Sequence, residues 1–290
     1  MLETLGRNTP ILVQGISGRM GRLHTRLMRG YGTHVVAGVS LTADLAEVDG
    51  VPVYASCLAA ARHGAVVSMI MVPPMQVRQA VIDAVEAGIK LVVTVAEGIP
   101  VHDALAIRAL TRSAGVMWIG GSTPGLCIPG QIKLGFLPDV SLAPGPLAVL
   151  SKSGTLSYEV CHRLVAVGVG QSIWIGVGGD AAKGVRFADL LKGVSERPGT
   201  KGILILGEVG GDEEEEAARE LERLRLDLPV FALIAGREAK EGVSMGHAGA
   251  MVLGQAGTLA SKQAALERAK VAVYQSMHAL VEGVASRLAR

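Results

Sequence analysis

The 290-residue chain is 49% hydrophobic and only 3% aromatic, contains 38 glycines and carries a formal net charge of +2. This charge balance argues against a broad basic surface for nucleic acid, and the apolar runs are too short to cross a membrane. The N-terminus lacks the layout of a secretory signal, and Cys57, Cys127 and Cys161 form no CxxC pair. We therefore expect a cytoplasmic protein, or an organellar one without its targeting segment, whose cysteines are buried and reduced.

Short apolar runs alternate with longer amphipathic runs in the first half of the chain. The predicted strands are residues 11–15, 35–40, 66–72, 91–96 and 116–120. The predicted helices include residues 75–87 and 101–114. This βαβ series, with Val, Ile, Leu and Ala for its core and many glycine turns, predicts an α/β fold with a parallel sheet.

A segment rich in turn residues, FLPDVSLAPGP at residues 136–146, interrupts this pattern, and we expect it to be a linker. The alternation then resumes, with strands predicted at residues 147–151, 172–178, 202–208 and 229–236 and helices near 155–167, 187–196, 212–226 and 261–288. The pattern thus predicts two α/β domains, at residues 1–135 and 147–290. The run DEEEE at residues 212–216 falls in the first turn of a predicted helix, where carboxylates complement the helix dipole. We expect it to be a solvated face and not a metal site.

A strand, a glycine-rich turn and a helix are predicted in ILVQGISGRMGRLHTRL at residues 11–27. Gly15, Gly18 and Gly21 are three residues apart, which resembles the dinucleotide-binding fingerprint but places the second glycine one position late. Open amides at a helix N-terminus attract anions, so we predict a ligand site here. NAD binding would favour an acid at the end of the second strand, where this chain has Ser40. A nicotinamide-dependent oxidoreductase is the alternative interpretation.

Polar residues also follow predicted strands in the second half. Ser153, Gly154 and Thr155 fall at the predicted start of a helix, where they form either a phosphate cradle or an ordinary N-cap. Glu208 ends an apolar strand, and His247 in MGHAGA comes after the next strand along the chain. Because the carboxyl ends of parallel strands share one edge, we expect these residues to converge. A histidine held by a carboxylate and facing a helix N-terminus can act as a nucleophile towards phosphate.

Six motifs follow one another along the chain, namely QGISGRMG, VAEGIP, SKSGTLSYE, GVGGD, GEVGG and GHAGA. In order and approximate spacing they resemble the α subunit of succinyl-CoA synthetase (succinate–CoA ligase), a family that has malate–CoA ligase-like relatives. The resemblance covers nearly the whole chain. It implies a Rossmann-like CoA-binding domain followed by a flavodoxin-like ligase domain. It also implies acyl-CoA formation driven by ATP or GTP through a phosphohistidine and an acyl phosphate, as in the tricarboxylic acid cycle.

The resemblance implies roles for individual residues. His247 corresponds to the phosphorylated histidine and Glu208 to the carboxylate that orients it, while Ser153, Gly154 and Thr155 correspond to the phosphate-holding helix start. The CoA-contacting stretches of the family correspond to Ser17, Gly18, Arg19, Met20, Val72, Pro73, Val95, Ala96 and Glu97.

Two departures from the family pattern concern the ligands. Ala43 stands where the family has a lysine that meets CoA, and Arg19 is our candidate for its replacement. Tyr158 corresponds to a position that contacts the acid substrate. The family's GPN near the same pocket is replaced in GGSTPG, which places Ser122 and Thr123 there. Losing the asparagine removes an amide donor and acceptor, so the change is either loop drift or an adaptation to a different carboxylic acid.

The family's chemistry implies a second chain, a β subunit that carries an ATP-grasp nucleotide site with its Mg²⁺. We therefore expect this chain to be inactive alone and to work in a heterodimer or heterotetramer, with no nucleic-acid or membrane partner. A non-catalytic CoA-binding module is the remaining alternative. The other histidines show no spacing of metal ligands, and we predict no metal site among them: His24, His34, His63, His102, His162 and His278.

Overall fold

A computed structural model describes residues 1–41, 45–237 and 257–289. The chain divides into two compact units. The first unit comprises Met1, Glu3–Phe136 and Ala182–Val185, and the second comprises Leu2, Leu137–Ala181 and Arg186–Arg290. Both units combine helices with mostly parallel strands, so the predicted α/β fold class is confirmed. The functional domain limits, residues 1–135 and 147–290, stay a prediction.

The first unit is built on a mostly parallel sheet. Its strands are β1 (Ile11–Gln14), β2 (Val35–Val39), β3 (Glu47–Val48), β4 (Val51–Tyr54), β5 (Val67–Ile70), β6 (Leu91–Thr94) and β7 (Met117–Ile119). They lie in the order β3-β4-β2-β1-β5-β6-β7, with β3 and β4 antiparallel and the other neighbours parallel. Because β1 pairs with β2 on one side and with β5 on the other, the strand order reverses beside β1. Ligands of open parallel sheets bind at the carboxyl edge of such a switch point.

The helices of the first unit are α1 (Arg19–Tyr31), α2 (Cys57–Ala60), α3 (Val77–Glu86) and α4 (Val101–Ser113), with 3₁₀ turns at Ala61–His63 and Pro74–Gln76. Strands β8 (Gly125–Ile128) and β9 (Ile132–Gly135) form an antiparallel hairpin that the sequence pattern did not predict. Gly125 and Gly135 face each other in it, and a Cβ atom on Gly125 would overlap the carbonyl oxygen of Leu134. The hairpin therefore needs glycines, and glycines in a sequence indicate a turn more readily than a strand.

The second unit is built on parallel strands β10 (Pro144–Ser151), β11 (Gln171–Gly176), β12 (Gly202–Glu208), β13 (Val230–Ala235) and β14 (Ala272–Tyr274), in the order β14-β13-β12-β10-β11. Its helices are α5 (Gly154–Ala166), α6 (Phe187–Ser195), α7 (Glu213–Leu224), α8 (Leu259–Arg268) and α9 (Met277–Leu288), with a 3₁₀ turn at Asp139–Ser141. All seven residues of β12 are buried, as expected for a strand covered on both faces. In the parts of the chain that the structure describes, no helix has the length and apolar character needed to cross a bilayer.

Two predicted boundaries in the second unit are wrong. The region 261–288 is not one helix, because α8 ends at Arg268 and β14 intervenes before α9 begins at Met277. Lys270, with a φ angle of +61°, reverses the chain after α8. Strand β10 begins at Pro144, inside the segment predicted as a linker. Pro144, Gly145 and Pro146 at its start obscured its beginning, because proline and glycine in a sequence argue against a strand.

Candidate active site

In the first unit, four predicted ligand-contacting segments follow strands of one sheet. Residues 17–20 follow β1, residues 72–73 follow β5, residues 95–97 follow β6 and residues 122–123 follow β7. Because these strands are parallel and adjacent in the order β1-β5-β6-β7, the four segments lie at the same carboxyl edge. Ala43, where the family's lysine is missing, lies outside the described residues.

Close packing of the backbone shapes the turn after β1. Gly15 has a φ angle of +77°, and a Cβ atom there would lie 2.9 Å from the carbonyl oxygen of Met71. A Cβ atom on Gly21 would overlap the carbonyl oxygen of Gly15. Gly18 is less constrained, since its Cβ atom would lie 3.4 Å from that same oxygen, an ordinary contact distance. The first and third glycines of the motif are therefore required by the approach of this turn to the loop after β5 and to α1.

The start of α1 is suited to an anion. Gly18 is the N-cap, and among the described residues no side chain caps the helix by a hydrogen bond. The first turn of this 13-residue helix holds no acidic residue, and Arg19 and Met20 are exposed there. The Ser17 hydroxyl lies 2.6 Å from the Ser40 hydroxyl, which links the turn to the chain just after β2. Backbone amides at such a helix start favour a negatively charged ligand group.

The loops after β5 and β6 present a partly apolar surface at the same edge. Val72, Val95 and Ala96 are half-buried, and Pro73 and Glu97 are exposed. The Val72 side chain packs against the turn that follows β1. An apolar wall beside a helix start that favours anions suits a ligand that combines phosphate with an apolar portion.

Ser122 and Thr123 differ in how far a ligand can reach their side chains. Ser122 is half-buried, has a φ angle of +55° and donates its backbone N–H to the carbonyl oxygen of Ala96 at 3.0 Å. Thr123 is only 2% exposed, and its Oγ1 accepts the backbone N–H of Gly125 at 3.0 Å. Of the two, Ser122 is the better candidate for contact with an acid, while Thr123 supports the turn.

In the second unit, Ser153 caps the helix that was predicted to follow it. Its Oγ accepts the backbone N–H of Leu156 at 3.3 Å. The Ser151 hydroxyl donates to the Ser153 carbonyl oxygen at 2.7 Å and accepts the Ser153 N–H at 3.2 Å. Gly154 is half-buried and Thr155 is exposed. Ser153 therefore holds the turn, and Thr155 is the residue of this set best placed to meet a phosphate.

Glu208 is the last residue of β12 and is only 7% exposed. Strand β12 lies between β10 and β13, so Glu208 ends beside the strand that leads into the start of α5. The backbone N–H of Lys152 donates to the carbonyl oxygen of Leu206 at 3.1 Å, which ties that turn to β12. The structure thus places Glu208 and the start of α5 at one edge of the sheet. His247 lies outside the described residues, so its approach to Glu208 stays a prediction.

A buried charged cluster lies next to Glu208. It consists of Lys152, Glu213, Glu214 and Lys262, and we call it the Glu214 cluster. The prediction that the DEEEE run forms a solvated face is wrong for Glu213 and Glu214, which are 3% and 0% exposed. Glu214 Oε1 lies 2.9 Å from Lys152 Nζ, and Lys262 Nζ hydrogen-bonds Glu214 Oε2. Lysines from two other segments make this burial possible, since a buried carboxylate needs an opposite charge.

Opposite charges keep Glu214 and Lys152 ionised. Burial by itself would raise the pKa of Glu214, but the ammonium groups of Lys152 and Lys262 outweigh burial and hold this pKa below its usual range. Burial by itself would lower the pKa of Lys152, but Glu214 and Glu213, together with Glu208, raise it above its usual value. The pKa of Lys152 therefore depends both on the carboxylates of the cluster and on the carboxylate at the end of β12.

Two family models match this chain, one in the N-terminal part and one in the C-terminal part. A family model described as a CoA binding domain matches residues 6–98, and one described as CoA-ligase matches residues 150–272. The succinate–CoA ligase [ADP-forming] subunit alpha 1 of Archaeoglobus fulgidus is 42% identical over 96% of this chain and 95% of its own length. The chain belongs to the succinate–CoA ligase α-subunit family. The resemblance predicted from the motifs is confirmed, and this membership favours a ligase subunit over a nicotinamide-dependent oxidoreductase.

Relatives of this α-subunit homologue are named for different acids. A subunit of the ADP-forming sulfoacetate–CoA ligase of Bilophila wadsworthia is 40% identical over 91% of each chain. Among solved structures, ATP citrate lyase of Methanosaeta concilii, in complex with (3S)-citryl-CoA, has a TM-score of 0.89 at 21% identity. That likeness covers 98% of this chain and 50% of the lyase chain, and it shows the fold alone. Identity to these relatives therefore does not distinguish succinate from sulfoacetate.

In this succinate–CoA ligase α-subunit homologue, Tyr158 lies on α5 and lines an open surface cavity of about 370 Å³. Thr155 lines the same cavity, so residues predicted to hold phosphate and acid face one space within the second unit. Burial raises the pKa of Tyr158, which keeps its hydroxyl protonated and able to donate a hydrogen bond. The Tyr158 ring centroid lies 6.2 Å from that of Trp174, which supports its position.

The sequence pattern predicted the candidate ligand segments, and it did not predict the charged residues that lie beside them in the second unit. Lys152 lies inside the motif SKSGTLSYE, directly after an apolar strand, and this position could have indicated its role. Lys262 gave no such signal, because it is 48 residues from Glu214 and lies on a different helix.

Proposed function

We propose that this chain is the α subunit of a nucleotide-dependent carboxylate–CoA ligase that works through an acyl phosphate and a phosphohistidine at His247. The observation that carries the proposal is the edge of the second unit where Glu208 ends β12 beside the start of α5. The chain segment between β13 and α8 contains His247. Since β13 neighbours β12 in parallel, this segment leaves the sheet at the edge that presents Glu208.

The proposed reaction proceeds in three balanced steps. An unprotonated ring nitrogen of His247 attacks the γ-phosphorus of ATP or GTP, which forms an N–P bond and releases the nucleoside diphosphate. A carboxylate oxygen of the acid then attacks that phosphorus, which forms the acyl phosphate and frees His247. The CoA thiolate finally attacks the acyl carbon, which forms the thioester and releases phosphate.

The residues at the edge of the second unit take separate roles in these steps. Glu208 accepts the N–H of one ring nitrogen of His247, so that the lone pair of the other nitrogen is directed at phosphorus. Thr155 and the backbone amides at the start of α5 stabilise the phosphoryl oxygens, with Ser153 and Gly154 shaping that turn. Tyr158 donates a hydrogen bond to the carboxylic acid from the same cavity.

We place CoA at the carboxyl edge of the first unit, within the domain predicted at residues 1–135. The side chains and backbone there fit such a ligand, because the start of α1 favours phosphate and Val72 offers an apolar wall. Arg19 supplies the cation that Ala43 cannot. Bound CoA contributes the thiol that accepts the acyl group, and this unit holds and orients it.

The proposal includes a partner chain. Relatives of this protein are named α subunits, and we propose an ATP-grasp β subunit that holds the nucleotide and its Mg²⁺ in a cytoplasmic heterodimer or heterotetramer. The test is a turnover assay of the two chains together, in which release of ADP or GDP requires CoA and a carboxylic acid. CoA binding without turnover of any acid would favour the non-catalytic CoA-binding module instead.

CoA affinity of the full chain tests the site in the first unit. We expect Arg19→Glu to raise the Kd for CoA about tenfold, because it removes a charge-assisted contact and sets a carboxylate at the start of α1. The matched control is Arg112→Glu, an exposed arginine in the last turn of α4 and therefore far from this edge. Calorimetric titration gives both values. Equal Kd values for the two variants, or NADH binding without CoA binding, would overturn this placement.

Acid preference tests the loop after β7. Ser122→Asn restores the family's amide at a left-handed backbone position that asparagine adopts readily. We expect it to shift the ratio of kcat/KM for succinate over sulfoacetate about tenfold towards succinate, since a positioned amide discriminates between acid head groups. The control, Ser122→Gly, suits the same backbone angle without adding an amide and should affect both acids alike. A ratio unchanged by Ser122→Asn would remove Ser122 from the acid pocket.

A further inference from the structure

The carboxylate of Glu214 holds together three separate segments at the edge that presents Glu208. Its Oε1 accepts the backbone N–H of Glu208 at 3.1 Å and lies 2.9 Å from Lys152 Nζ. Its Oε2 accepts hydrogen bonds from Lys152 Nζ, at 3.2 Å, and from Lys262 Nζ. The end of β12, the turn before α5 and helix α8 thus share one carboxylate, which is 0% exposed.

The close approach of Glu214 to β12 depends on a glycine. A Cβ atom on Gly207 would lie 2.5 Å from Glu214 Oε1, so a larger residue there would displace the carboxylate. Lys262 Nζ also donates to the carbonyl oxygen of Gly211 at 3.1 Å and to Glu215 Oε2 at 3.3 Å, which fixes the loop between β12 and α7. Glu214 thus packs closely against the residue before Glu208, and Lys262 fixes the loop that follows Glu208.

Stability alone is a weak reason to bury two lysines and two glutamates. Removing such charges from water is costly, and apolar residues of similar size stabilise a protein interior at least as well. What a charged cluster adds is fixed geometry, because each buried charge must keep its partners. The Glu214 cluster applies that constraint to the backbone of Glu208, the residue proposed to orient the phosphohistidine.

We propose that Glu214 is a positioning residue for phosphoryl transfer. It fixes the backbone of Glu208 directly and the Ser153–Thr155 turn through Lys152, so that the carboxylate and the helix start keep one spacing. This inference rests on the proposed function, because it acts through the proposed contact between Glu208 and His247.

The test is the rate of phosphohistidine formation by the two-subunit enzyme with Glu214→Gln. The glutamine can still accept the Glu208 N–H, but its neutral amide no longer pairs both lysines. We expect the rate to fall about tenfold or more, as for other residues that orient a catalytic group. The KM for CoA should not change, since CoA is placed in the other unit. Glu220→Gln is the matched control, because Glu220 lies on the same helix and pairs with Arg223 at the surface.

A double-mutant cycle separates positioning from general stabilisation. If Glu214 acts through Glu208, adding Glu214→Gln to Glu208→Gln should change the rate by no more than about twofold, because the two effects are not additive. Effects that multiply would assign Glu214 a merely structural role and overturn the inference. Circular dichroism and assembly with the β subunit check that each variant folds. If Glu214→Gln does not assemble, Lys262→Met replaces it in the same double-mutant cycle.

The cycle also distinguishes failure of this inference from failure of the proposed function. Normal phosphorylation in Glu214→Gln, with slow phosphorylation in Glu208→Gln, would overturn the positioning role and leave the proposed function standing. Normal phosphorylation in Glu208→Gln would overturn the positioning role and the role of Glu208, but phosphohistidine formation would still stand. A wild-type enzyme that turns over without phosphohistidine would overturn the proposed function as well.

Discussion

The two-subunit enzyme carrying His247→Ala is expected to form acyl-CoA at least about four orders of magnitude more slowly than the wild type, within the range measured when a catalytic nucleophile or its partners are removed. Without the imidazole, the γ-phosphoryl group has no acceptor in this chain and the acyl phosphate cannot form by the proposed route. The measurement is acid-dependent and CoA-dependent release of nucleoside diphosphate under saturating substrates.

Two controls make this loss specific to the phosphoryl step. The Kd for CoA should be unchanged in His247→Ala, because the CoA site is proposed in the first unit. His278→Ala should have wild-type activity, since His278 is a highly exposed histidine on α9 whose side chain is 81% exposed. An activity of His247→Ala within tenfold of wild type would contradict the proposed intermediate.

Glu208→Gln has the second largest expected effect. The substitution preserves the size of a side chain that is only 7% exposed at the end of β12, so the sheet should fold normally. The neutral amide cannot hold the His247 ring as a carboxylate does, and we expect kcat to fall about 100-fold. The KM for CoA should stay the same, which a steady-state comparison of both parameters measures.

Two further variants distinguish a loss of histidine orientation from a loss of folding. Glu208→Asp keeps the charge at a shorter reach and should recover part of the lost kcat. Glu196→Gln, which breaks an exposed pair with Lys192 on the surface near α6, should leave both parameters unchanged. A Glu208→Gln enzyme with normal kcat would show that the carboxylate has no part in the reaction.

Much of the fold was predictable because buried parallel strands are continuous apolar runs. The prediction of residues 202–208 matches β12, and residues 91–96 contain β6 (Leu91–Thr94). Short strands with glycine or one exposed face were not predictable in this way. Strand β14 (Ala272–Tyr274) lies in a stretch with helical composition, and the β8–β9 hairpin depends on two facing glycines.

The candidate site was predictable where one local segment carries the signal. The glycine turn after β1 and the SKSGT turn each join a strand to a helix, so their place at a sheet edge follows from local pattern. The Glu214 cluster depends on pairing across the chain, because Lys152 and Lys262 are 62 and 48 residues away from Glu214. A helical pattern shows which residues share a face but not which charges from other elements meet them.

The most direct test of the proposed mechanism is to incubate the two-subunit enzyme with ATP or GTP labelled in the γ-phosphate. The proposed mechanism predicts an acid-labile phosphate on His247 in the wild type, none in His247→Ala, and loss of the label when the acid and CoA are added. Label retained at the wild-type level in His247→Ala, or a wild-type enzyme that turns over without acquiring label, would contradict it.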